Sequence, residues 1–186
     1  MTTSDSAAQD GPAQDIPAHD GTAADAPRPT GQRTPTGIAI PRRLDGDVED
    51  TWAWLTDPDR TAQWFGRWSG DPASGEVQVQ LAAEEGAPMS TSTIHACEAP
   101  HRLVLVLGTG PGWVVTLTVE ADGEDASVLT LSQDMDDPEF AAMVGPGWEF
   151  YLDRLGAARA GRDVDEIAFE PGYVPGQSNH YRGLFA

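Results

Sequence analysis

The chain has 186 residues, a formal charge of −19 and a sequence pI near 4.2. Nucleic acids and anionic membrane surfaces are held through Lys and Arg, so this charge argues against both as partners. The single cysteine, Cys97, excludes an internal disulfide, and no apolar run approaches the roughly 20 residues that cross a bilayer.

Residues 1–33 are dominated by Ala, Asp, Pro, Gly, Thr and Gln, with Asp5, Asp10, Asp15, Asp20 and Asp25 in a five-residue repeat. Met1 and Ile16 are its only large apolar residues, too few to offset the entropy of ordering. A disordered acidic tail is expected there. It has neither the basic patch nor the apolar core of a signal peptide, which leads us to expect a cytoplasmic protein.

A domain is expected over residues 34–161. Ile38, Ile40 and Leu44 share one face of a first strand spanning about 36–44, and Pro41 pushes that strand towards an edge or a bend. Arg42 falls on the same face, where it either reaches water at the strand end or sits as a buried cation in a pocket. Asp47 reads as an N-cap, with Val48, Thr51, Trp52 and Leu55 as the buried stripe of a short helix. Trp54 lies off that stripe. Asp57-Pro58 caps a second short helix, which ends near Trp64 and Phe65.

From Gly66 the period changes to two. Val77, Val79 and Leu81 alternate with Gln78 and Gln80. The segment 89–97 is extended and polar. Strict alternation puts Met89, Thr91, Thr93, His95 and Cys97 on one face and Ser90, Ser92, Ile94 and Ala96 on the other; which face is inward stays open. Leu103 to Leu107 is a continuously apolar strand. Trp113, Val115, Leu117 and Val119 alternate in the next, and Val128 to Gln133 forms the last. Tight turns join these strands, as at Glu84-Glu85-Gly86, Gly108 to Gly112 and Asp122-Gly123, so the sheet is antiparallel.

Asp136 or Asp137 caps a short helix begun by Pro138, which breaks at Gly145-Pro146-Gly147. The break is either a start signal or a hinge that makes residues 138–144 a lid. The closing helix follows, with Trp148, Leu152 and Leu155 in an apolar stripe and a stop near Gly161. Residues 162–186 lack a clear period but carry Ile167, Phe169, Tyr173, Tyr181 and Phe185. They are expected to form an extension packed partly on the domain. The fold class is therefore α+β: a curved antiparallel sheet of about seven strands gripping a long C-terminal helix, with two short helices after the first strand.

Three motifs carry a resemblance. They are Thr51-Trp52-Ala53-Trp54-Leu55-Thr56-Asp57-Pro58 followed by Trp64-Phe65, then Ile94 to Leu103 around Glu98-Ala99-Pro100, and then Gly147 to Leu155. In that order they resemble the START-like helix-grip superfamily, also called SRPBCC. Within it the chain is similar to the family homologous to the activator of the heat-shock chaperone ATPase. Members often have Gly-Thr before the last strand and His at its end, where this chain has Ala126-Ser127 and Gln133. The resemblance implies a seven-stranded sheet around the long helix with a cavity between them. It does not imply one function.

The residues show no catalytic set and no cluster of metal ligands, so neither a cofactor nor a metal is expected. The expected function is binding of an apolar, lipid- or polyketide-like small molecule, in a cavity near Trp113 and Trp148. Its expected lining is Trp64, Phe65, Val77, Val79, Trp113, Val115, Met143, Trp148, Tyr151 and Leu152, with Thr91, Thr93 and His95 as polar groups. One alternative is a protein-interaction or chaperone-ATPase regulator role. Another is a cyclase- or dehydratase-like enzyme in which His95, inside the cavity, is the acid or base.

Overall fold

The computed structural model describes residues 27–84, 86, 89–108 and 113–186. The Asp repeat and most of the Gly108 to Gly112 turn lie outside the described residues. Carboxylate caps set the helices where the sequence predicts them. Asp47 accepts from the Asp50 N–H at 2.8 Å and starts α1 (Val48–Thr56). Asp57 ends α1 and accepts from the Asp59 N–H at 2.9 Å to start α2 (Pro58–Thr61). Asp137 caps α3 (Pro138–Arg159), accepting from the Glu139 N–H at 2.8 Å. Each carboxylate satisfies donors that the first helical turn leaves unpaired.

The strands are β1 (Gln32–Arg33), β2 (Gly37–Asp45), β3 (Gly66–Ser69), β4 (Glu76–Leu81), β5 (Met89–Glu98), β6 (Arg102–Leu107), β7 (Trp113–Ala121) and β8 (Ala126–Asp134). They form one antiparallel sheet in the order β1-β2-β8-β7-β6-β5-β4-β3. The sheet has eight strands rather than about seven. The two-residue edge strand β1, just ahead of residue 34, pairs with Ile38 and Ala39. A polar two-residue strand has no periodicity from which to be read.

Register places Ile38 and Ile40 opposite Gln133 and Leu131, and Val115 and Leu117 opposite the same two residues from the other side. These inner-face residues share one core with Trp148, Leu152 and Leu155 of α3. The Trp148 indole N–H donates to Gln133 Oε1 at 2.7 Å, and both groups are buried. Thr51 and Ser127 bond through their hydroxyls at 2.8 Å, which fixes α1 to β8.

The helix does not break at Gly145-Pro146-Gly147; α3 is continuous. Gly145 is needed for packing. A Cβ there would lie 2.3 Å from Tyr181 Cδ1. Tyr181 belongs to α4 (Ser178–Gly183), and with Tyr173 and Gln177 it is buried against α3. The C-terminal segment thus covers the outer side of α3. No lid hinge is present in that helix.

Polar groups fasten this second layer. Glu149 of α3 is fully buried. Its carboxylate accepts from the Thr30 N–H at 2.6 Å, the Gly31 N–H at 2.9 Å and the Tyr181 hydroxyl at 2.6 Å. It also takes a charge-assisted bond from Arg42. Arg42 donates to Asp153 at 2.9 Å as well, and the Tyr173 hydroxyl donates to Asp153 at 2.8 Å. Arg42 is therefore a buried cation, paired with α3 rather than lining a ligand pocket. Burial pushes the Glu149 carboxyl up, but Tyr181, Arg42 and the Thr30 N–H together hold it below the usual carboxylate range. Among the described residues no helix is long and apolar enough to cross a membrane.

Glu149→Ala leaves the Thr30 and Gly31 N–H groups and the Tyr181 hydroxyl without their acceptor and leaves Arg42 only Asp153, and should cost about 3–5 kcal/mol in urea denaturation. The Glu149 carboxyl titrates below its ordinary 4.5, so its contribution is complete above that pH and is lost as pH falls through the native pKa. Glu149→Gln should accordingly flatten the acid limb of the stability profile. Gln133→Leu leaves the Trp148 N–H buried and unpaired, and should cost about 1–3 kcal/mol in the same assay.

Candidate functional site

The two short helices also pack on the inner face of the sheet, α1 towards β7 and β8 and α2 towards β3. Trp52 and Leu55 project from α1 on the stripe that its periodicity predicts. The Trp64 indole N–H donates to the Trp54 carbonyl at 3.0 Å and ties the end of the α2 turn back to α1. Beneath these helices lies a cavity of about 170 Å³.

Trp52, Leu55, Thr56 and Thr61 form its helical wall. Phe65, Trp68 and Pro72 close one side. The sheet supplies Val77 and Val79 from β4, Ile94 and Cys97 from β5, and Leu103, Leu105 and Leu107 from β6. The two threonine hydroxyls are already committed. Thr56 donates to the Trp52 carbonyl at 2.9 Å and Thr61 to the Pro58 carbonyl at 3.3 Å. The lining therefore asks a guest for dispersion contacts and little hydrogen bonding.

A β-bulge explains how β5 contributes. Ser92 pairs with Leu107, Ile94 with Leu105 and Cys97 with Leu103, with the register shifting between Ile94 and Ala96. All three leucines line the cavity or its edge, so Ile94 and Cys97 reach the same face although three positions apart. Strict alternation had put them on opposite faces; the extra residue of the bulge breaks it. Cys97 is exposed while lining the cavity, which places the opening beside it.

Regular alternation before the bulge decides the expected polar groups, because Ser92 and Ile94 face inward. Thr91 lies opposite Gln78 and accepts from its amide at 2.9 Å on the outer face. Thr93 lies opposite exposed Glu76, and His95 is exposed. None of the three lines the cavity. Ser92 faces inward instead, and its hydroxyl is buried with no partner among the described residues.

Of the expected apolar lining, Phe65, Val77 and Val79 are in place. Trp64, Val115, Trp148, Tyr151 and Leu152 are core residues outside that lining. Trp113 (43% exposed) and Met143 (56% exposed) lie at the surface. Around Trp148, ring packing fills the space: its centroid is 6.2 Å from that of Trp113 and 6.4 Å from that of Tyr151. Burial pushes the Tyr151 hydroxyl up to about 12, so it stays protonated at neutral pH. The cavity thus sits under α1 and α2 rather than beside Trp113 and Trp148. The lining that sequence reasoning missed (Trp52, Leu55, Trp68, Ile94, Cys97 and the β6 leucines) had a signal in two places. These were the α1 stripe and the spacing of Leu103, Leu105 and Leu107. Among the described residues no group of three His, Cys, Asp or Glu side chains could hold a metal ion.

Residues 45–159 match the family described as Activator of Hsp90 ATPase homolog 1-like protein. Among solved structures, the crystal structure of CalU16 from Micromonospora echinospora is 28% identical, over 80% of this chain and 87% of that one, with a TM-score of 0.64. Its solution structure is 26% identical, over 88% and 97% of the two chains, again with a TM-score of 0.64. A Bordetella parapertussis protein solved by NMR, 22% identical over 84% and 90% of the chains with a TM-score of 0.57, shares the fold. No curated protein matches. The family match spans more than half of the chain and carries all three motifs, and the chain belongs to the Activator of Hsp90 ATPase homolog 1-like family.

Proposed function

We propose that this protein binds a compact apolar small molecule, without catalysis, in the cavity between α1–α2 and the sheet. The observation that carries the reading is the almost wholly apolar 170 Å³ space, open beside Cys97, whose lining threonines Thr56 and Thr61 are already bonded. An apolar cavity of about 150 Å³ holds a benzene-sized guest. The volume here suits one aromatic ring or a short branched alkyl group. A larger ligand would insert such a group and leave its remainder outside beside Cys97. Burying about 150 Å² of guest at about 25 cal/mol per Å² gives about 4 kcal/mol, in the millimolar range. Tighter binding needs contacts at the mouth. His95 is exposed and away from the lining, so the cyclase- or dehydratase-like alternative draws no support from this cavity.

A second reading, a protein partner such as a chaperone ATPase, is favoured by one surface. Trp113 and Met143 are exposed, and Trp113 stacks edge-on against Phe140 of α3 at 5.9 Å. ATPase stimulation that falls on Trp113→Ser would support it.

Toluene titrated into labelled protein should shift the methyl resonances of Leu55, Val79 and Leu105. Val77→Phe should abolish those shifts while changing stability by no more than about 1–3 kcal/mol. Methyls that stay unmoved at saturating toluene, or a Val77→Phe variant that binds as before, would overturn the proposal.

A further inference from the structure

Trp54, off the buried stripe of α1, has a place elsewhere. It lines a surface groove of about 800 Å³ where α1, the α2 turn and the last turn of α3 meet beside Gly46. Arg60 and Arg159 also line it, with Gly156 and Ala158 as small neighbours. The guanidinium carbons of Arg60 and Arg159 lie 5.5 Å and 5.8 Å from the Trp54 ring centroid. One carboxylate joins them: Asp50 accepts from Arg60 at 2.8 Å through Oδ1 and from Arg159 at 2.9 Å through Oδ2.

Two features of this cluster are incomplete. Two cations share one anion, which leaves a local positive charge on a chain of net charge −19. Asp45 and Arg43 also line the groove, where their charged groups lie 3.8 Å from one another and so offset each other. In addition, Arg159 is 10% exposed, and its Nη1 is buried with no partner among the described residues. Its Nη2 is occupied by Asp50 and by the Asp45 carbonyl. A buried charged donor without an acceptor is costly. A guanidinium edge is shaped for a planar carboxylate.

We propose that this groove is a second binding site, for a small aromatic carboxylate. Its carboxylate accepts from the partly exposed Arg60 guanidinium and neutralises the charge shared with Arg159. Its ring lies along Trp54, Gly156 and Ala158. The site is independent of the apolar cavity, which holds no charged group.

Benzoate is the probe, read by the side-chain Nε–Hε resonances of the arginines in 15N-labelled full-length protein, with sodium chloride holding ionic strength constant. Benzoate should shift the Arg159 and Arg60 resonances and leave the Val79 and Leu105 methyls unmoved. Arg60→Gln, at a partly exposed position, should weaken binding at least about tenfold with the fold intact. Trp54→Leu should weaken it as well. Benzyl alcohol, with the ring but no charge, should not bind. Unmoved arginine resonances, or unchanged affinity in Arg60→Gln, would overturn the site. Inorganic phosphate binding as well as benzoate would overturn the assignment of an aromatic carboxylate.

Discussion

The buried carboxylate of Glu149 holds the two ends of the described chain to the long helix. Thr30 and Gly31 reach it from one end, Tyr181 from the other, and Arg42 from the sheet. A charge buried this deeply is tolerable only when fully bonded. Each of those segments is therefore held in one position. The consequence is a helix packed on both sides: the sheet core lies beneath it and the C-terminal segment lies above.

That constraint explains where the empty space is. Under α3 the inner face is filled by Ile38, Ile40, Leu129, Leu131 and the Trp148–Gln133 pair. Over β4, β5 and β6 the inner face lies instead beneath Trp52 and Leu55 of α1, with Phe65 and Trp68 at the side. A nine-residue helix and a one-turn helix cannot fill the concavity of a curved sheet. Trp52 and Leu55 roof it and leave a void. The fold thus has a filled region beneath α3 and an open apolar cavity bordered by α1 and α2.

Much of this was legible in the sequence because it rests on local chemistry. Asp47, Asp57-Pro58 and Asp137 announce helix starts through their own side chains. The alternation of Trp113 to Val119 announces a strand, and the motifs from Thr51 to Leu155 announce the family. What stayed hidden depends on partners distant in sequence or on backbone irregularity. The bulge between Ile94 and Ala96 has no residue-type signature, yet it moves Cys97 to the face of Ile94 and away from that of Thr91, Thr93 and His95. Gly145 reads as a breaker until Tyr181 is seen packed against it. Arg42 could be placed on the inner face from the pattern alone, but its carboxylate partners on α3 could not. Aromatic residues likewise do not reveal whether a ring fills space or borders it. Trp148 does the first and Trp52 the second.

The central claim is that the accessible apolar void lies under α1 and α2. A crystal of the protein under xenon pressure tests it most directly, because xenon reports empty apolar volume without polar contacts. Xenon density is expected between Leu55, Val79 and Leu105. Density beside Trp148 under α3, with none under α1 and α2, would contradict it.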